Sequence, residues 1–344
     1  VILKYTYYIC IISTRHASYL SKDKAHHAGA FFYLHMKYSG VPKNINDLTN
    51  QLISKGLIVS NKPDAEHHIF STGFFRFKRY SSIFHIIDGK GDYTFIKDTH
   101  FDFIEGVYHF DSSLRIALFE AIAEIEVAFK SILNFTMTLK HGAHWYLDPA
   151  VFKDKFTKDL DFNYESSYDK FIVGLTKECN ETRESYIKKY KDYYTDPALP
   201  PSWLIMEILP FGTCCKLFQN ISEGSTKASI CTHFGVDKRI FETWLFTLSY
   251  VRNQCAHHHK IVNRIFMFPP ILPNRKDHMF LKEGRIVDTD SLYAVLCIVR
   301  YTLLNLKSKS FFKENVIDLI DNNPQIQLDR LGFTEHWRKE AIWQ

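Results

Sequence analysis

An all-α fold, a helical bundle with an N-terminal helical extension, is what this sequence predicts, on three observations. Apolar residues recur at helical spacing from Asp47 onward; in the longest run, Asp111 to His141, a continuous stripe passes through Leu114, Leu118, Ile122, Ile125, Phe129, Ile132 and Leu133. Residues suited to start helices stand ahead of these stripes, among them Asp47, Asp111, Ser202, Asp237 and the pair Asp290–Ser291. Internal repeats, low-complexity segments and the GxxxxGK[ST] phosphate loop are all missing, and with 14 glycines in the chain a P-loop nucleotide site is excluded.

The first predicted helix, "NDLTNQLISKGL", is capped by Asp47, carries apolar Leu48, Leu52 and Ile53, and stops at Lys55-Gly56. The next, "PDAEHHIFSTGFFRFKRYSSIFHI", is rich in aromatic residues and broken at Gly73. "DGKGDYTFIKDTHFD" follows as a turn-rich connector with a short strand or hairpin. The long helix from Asp111 ends at Gly142 and is expected to be the spine of the bundle. Residues 153–200 are more polar. A Pro-Pro pair, with Ser202 as cap, leads into one further apolar helix, "WLIMEILPFGTCCKLFQNI". Asp237 caps a helix with apolar Ile240, Phe241, Trp244, Leu245, Leu248 and Val251, and "LYAVLCIVRYTLLNLK" and "FFKENVIDLIDN" supply the last two.

Composition bounds the function. At 344 residues, 46% hydrophobic and 24% charged, the chain can bury the core of one large domain or two smaller ones. A net charge of +5 is compatible with a nucleic-acid partner without identifying one. The seven cysteines are scattered without a CxxC pair, which argues against a disulfide framework and a zinc ribbon and for a reducing, cytoplasmic setting. No apolar run approaches the ~20 residues of a membrane span. Residues 1–35 start without methionine and show no clear period; the reading preferred over a poor signal peptide is a non-native or disordered leader upstream of a start at Met36. Residues 36–100 form the N-terminal helical region and 101–344 the helical core.

The chemistry concentrates in "YVRNQCAHHHKIVNRIF", residues 250–266. Cys255 and His259 have the i, i+4 spacing of a metal-ligand pair on a helix, but no second HxxxH or CxxC pair completes a site and HExxH is absent, so neither metal nor cofactor is expected. A histidine at a helix C-terminus is also favoured by the dipole, though that explains one histidine and not three in a row. A third reading is acid–base chemistry on RNA. Metal-free cleavage needs a base at the 2′-hydroxyl, an acid at the leaving 5′-oxygen and a cation for the crowded phosphorane. Histidine titrates in the right range, and arginine offers a permanent fork to phosphoryl oxygens. Arg252 and His257 form an R-x4-H pattern followed at once by Asn253, although on an unbroken helix their Cβ vectors diverge by about 140°. Two copies facing each other across a two-fold axis would restore a composite site. Upstream, Lys188, Lys189 and Lys191 interleave with Tyr186, Tyr190, Tyr193 and Tyr194, a pattern that suits either a single-stranded nucleic-acid surface or an ordinary solvated face.

Several separated blocks resemble the Abi-like abortive-infection proteins of bacteria (AbiD/AbiF type), related to the HEPN superfamily. They are "HFDSSLRIALFEAIAEIEVAFKS" at 109–131, "PPSWLIMEILPFGTCCKLF" at 200–218, "VRNQCAHHHKIVNR" at 251–264 and "LDRLGFTEHWRKEAIW" at 328–343, in the family's order, with Leu331 where methionine is common. The resemblance covers about residues 40–344. It implies an HEPN-like bundle and a role in phage defence through RNA, with a metal-independent endoribonuclease as the leading activity and a non-catalytic RNA-binding regulator held with a partner RNA, for instance a small non-coding RNA, as the alternative. Carried over, Arg252 stabilises the phosphate, His257 is acid or base, Asn253 orients them and His258 is the alternate. Asn263 and Arg264 hold RNA or support the site, Trp203 and Glu207 are supportive, and a homodimer is expected.

Overall fold

The computed structural model describes residues 41–89, 91–153, 168–273, 280–281 and 287–344. The leader expected over residues 1–35 lies outside them. Twelve α-helices, six single-turn 3-10 helices and one short hairpin make up the regular structure of the described residues, so the all-α expectation holds. The chain divides into two compact units, the first ending at His109 and the second running from Phe110 to Gln344.

In the first unit α1 spans Ile45–Ser54, with Asn44 as its cap: the Asn44 side chain accepts from the backbone N–H of Asp47, which therefore sits inside the first turn and is not the cap itself. The helix stops where expected, Gly56 taking a φ of 96° that other residues avoid. Helices α2 (Lys62–Thr72) and α3 (Phe74–Ser81) meet at Gly73, the predicted break. The connector carries an antiparallel hairpin, β1 (His85–Ile87) against β2 (Tyr93–Phe95).

Helix α4 runs from Phe101 to His141, ten residues longer than the sequence predicts. Asp111 does not begin it. The predicted stripe is buried at Leu114, Leu118, Ile122, Ile125, Phe129 and Leu133, and Gly142 ends the helix with a φ of 85°.

The second unit continues with α5 (Tyr168–Glu181), α6 (Ser185–Tyr193), α7 (Ser202–Ile208), α8 (Phe211–Asn220), α9 (Gly224–Thr232), α10 (Lys238–Ala256), α11 (Leu292–Asn305) and α12 (Phe312–Asp321). The single helix expected over 202–221 is two, because Pro210 lacks the N–H needed to continue. Ser202 is the first residue of α7, not its cap; its hydroxyl meets that of Thr138 at 3.1 Å. Asp237 caps α10, accepting from the N–H groups of Arg239 and Ile240, and Ser291 caps α11, accepting from that of Ala294.

Aromatic rings tie this unit together. Phe129 of α4 sits 5.7 Å from Phe218 of α8 and 5.9 Å from Phe241 of α10, and Phe241 stacks on Phe234 at 4.3 Å. Helix α10 packs on α8, α9 and α11, and α11 is buried around nearly its whole circumference, as an apolar helix at the centre of a bundle must be. The six cysteines among the described residues are free and buried.

Candidate functional site: the histidine-rich end of α10

Helix α10 buries Phe241, Trp244, Leu245, Leu248 and Val251, so its packed stripe carries the chain's polar end to a defined place. There the helix stops in a Schellman turn. The His258 N–H donates to the Cys255 carbonyl at 3.0 Å and the His259 N–H to that of Gln254 at 2.9 Å, while His258 adopts a left-handed φ of 55°. Glycine usually fills this position; here a histidine bears the strain.

This termination corrects the metal-pair geometry considered for Cys255 and His259. The helix ends at Ala256, so the two do not share a helix face. Cys255 is buried, and burial pushes its thiol up to about 12, with the Arg115 charge pulling the other way and Asp111 adding to the rise. His259 is exposed, its Nδ1 2.8 Å from Oε1 of Gln254.

The segment after the turn is held by Asp111 of α4. Its side chain is fully buried; Oδ1 accepts from the N–H groups of Ile261 and Val262, both at 2.8 Å, and Oδ2 accepts from Nε of Arg115 at 3.0 Å. A carboxylate in such a place offsets its desolvation through charge-assisted bonds. Arg115, itself 6% exposed, reaches from this pair towards Nδ1 of His258 at 3.5 Å, the outer limit of a hydrogen bond.

Further along α4, Oε2 of Glu126 lies 3.6 Å from Nε of Arg252, and Lys130 pairs with the same carboxylate at 2.8 Å. The Arg252 guanidinium also sits 5.6 Å from the Phe119 ring centre and donates to Oδ1 of Asn253 at 3.3 Å. As the chain moves from Arg252 to Val262, its partners on α4 retreat from Glu126 to Asp111, so the end of α10 and the segment after it run antiparallel to α4. Arg252 is thus held on one side by acid and ring while its side chain stays 36% exposed.

His257, Asn253 and His258 are exposed at the same helix end. Among the described residues no hydrogen bond joins Arg252 to His257, in keeping with the divergence expected from their spacing. Asn263 is exposed with a φ of 54°, and Arg264 donates to Gln254 and lies over the Tyr250 ring. The lysine-tyrosine stretch falls on and just after α6: Lys188 and Lys189 are exposed, as are Tyr193 and Tyr194, whereas Lys191 donates to the Cys179 carbonyl at 2.8 Å and so ties α6 to α5. Trp203, 47% exposed, and Glu207 lie on the surface of α7.

Sequence reasoning missed Asp111 as an anchor, and with it Arg115, Phe119 and Glu126. A signal was present, since Asp111–Arg115 and Glu126–Lys130 are i, i+4 pairs of opposite charge on a strongly apolar helix, where unpaired charge is not tolerated.

No curated protein and no solved structure matches the chain. The family description "Abi-like protein" does match it, over residues 67–263, a span that takes in α4, its Asp111–Arg115 pair and the whole of α10 with its histidines. More than half of the chain is covered, and the protein belongs to the Abi-like family.

Proposed function

We propose that this protein acts in phage defence, in the manner of abortive-infection proteins of the AbiD/AbiF type within the HEPN superfamily, as a metal-independent endoribonuclease whose site is the end of α10. The observation that carries the reading is the setting of Arg252. It is half-exposed, steered by Glu126, Phe119 and Asn253, and placed on the same helix end as His257. A cation held in this way serves the phosphorane, His257 moves the proton at the 2′-hydroxyl or the 5′-oxygen, and Asn253 orients the pair. His258 is the less favoured proton carrier because Arg115 already approaches its Nδ1. Asn263, Arg264, Lys188 and Lys189 extend the surface available to RNA.

One chain offers one R-x4-H, and the active form in this proposal is a homodimer, with the arginine-histidine pairs of two copies facing one phosphate. Apolar Ile116, Phe119 and Val127 are exposed on α4, and the guanidinium of Arg252 lies over Phe119, which supports a partner surface beside the site.

The alternative, an RNA-binding regulator without cleavage, is favoured by the exposed Lys188, Lys189, Tyr193 and Tyr194, which offer charge and rings without an acid–base pair. The test is RNA cleavage by the purified protein in excess EDTA, beside its Arg252→Ala/His257→Ala double variant. Cutting by the parent alone is expected. RNA left intact by the parent yet bound by it, with both single substitutions weakening binding equally, would move the function to the regulator.

A further inference from the structure

Metal-ligating side chains, which the end of α10 does not assemble among the described residues, do come together elsewhere. In the first unit, Glu105 and His109 sit at i, i+4 on α4, and His68 of α2 faces them. Nδ1 of His68 lies 2.8 Å from Oε1 of Glu105, Nε2 of His109 lies 4.0 Å from the same oxygen, and one ligand atom from each residue falls within 4.8 Å of the other two. Ligands at about 2.0–2.2 Å from a tetrahedral ion are separated from one another by roughly 3.3–3.6 Å, a range these two distances bracket. We propose that His68, Glu105 and His109 bind a divalent transition-metal ion of the zinc class and so clamp α2 to the start of α4.

The surroundings suit this. Phe77, Phe101 and Tyr108 meet the His68 ring edge-on, with centroids at 6.3, 5.6 and 5.4 Å, so its orientation is set before any ion arrives. Burial lowers the His68 pKa, against the opposing pull of Glu105. Two imidazole nitrogens and one carboxylate select zinc and its neighbours over magnesium or calcium, which take oxygen shells. Three protein ligands leave a position for water.

This site lies outside the RNA chemistry proposed for α10, and its test does not depend on it. The protein, stripped with chelator and dialysed, is titrated with zinc chloride by calorimetry and with cobalt(II) by visible absorption, beside Glu105→Gln/His109→Ala and His257→Ala/His259→Ala. The first pair is chosen because His109 is exposed and Glu105 half-buried, so the helix stays intact, checked by circular dichroism. The parent is expected to bind one ion per chain, with the bands of four- or five-coordinate cobalt and a zinc-dependent rise in Tm. Removal of Glu105 and His109 should weaken binding by at least ~10-fold and abolish the bands, while removal of His257 and His259 changes neither. Equal affinity in parent and Glu105→Gln/His109→Ala, or loss confined to the His257/His259 variant, would overturn the proposal.

Discussion

Asp111 shows how much one buried carboxylate can organise. It satisfies two backbone N–H groups of the segment after the histidines and balances Arg115, so that segment is positioned by a helix some 150 residues earlier in the chain. Asp111→Ala leaves the Arg115 charge buried and two donors unpaired, and is expected to cost about 3–5 kcal/mol in denaturant unfolding. Asp111→Asn keeps an acceptor for the backbone and should cost less. If Ala and Asn behaved alike, with losses under about 1 kcal/mol, the anchor would carry no weight. In the sequence Asp111 reads as a helix cap; that it lies inside a longer helix follows from the ten preceding residues, of which Phe101 and Asp102 read as the end of the connector and the rest fall in no predicted element.

At the level of elements, the end of α10 is the decisive feature. A helix that continued through the histidines would set Cys255 and His259 on one face; the Schellman turn instead spreads His257, His258 and His259 around a left-handed corner. Left-handed backbone costs an L-residue about 1–2 kcal/mol, and glycine loses about 0.5–1 kcal/mol of that advantage through unfolded-state entropy. His258→Gly is therefore expected to hold stability level or raise it by up to about 1 kcal/mol in urea. A loss larger than about 1 kcal/mol would show that the contact with Arg115 outweighs the strain. The stop itself was not legible, because no glycine or proline marks it. Other ends were: Gly73 and Gly142 break helices where the sequence places them, and Asp237 and Ser291 begin theirs.

For the whole molecule, the proposed activity requires Arg252 and His257, which no hydrogen bond joins among the described residues, to act on one phosphate across a dimer. Mixing Arg252→Ala with His257→Ala protomers is expected to give mixed dimers that recover part of the RNA-cleaving activity each variant lacks alone, read as cleavage against mixing ratio. Mixed dimers that form, shown by differently tagged chains, and remain inactive would count against a shared site.

By itself the sequence determined the all-α class, the apolar stripes of α4 and α10, the caps at Asp237 and Ser291, and the Arg252–His257 motif with its family resemblance. These are local or periodic properties, set by a few neighbouring residues and the 3.6-residue turn. Tertiary structure decided which charges meet. Asp111 with Ile261 and Val262, Arg115 with His258, Glu126 with Arg252, and His68 with Glu105 join residues far apart in the chain, brought together by the burial of apolar faces. No spacing rule reaches that far: hydrophobic packing fixes where helices lie against one another, and the polar partners follow from that placement.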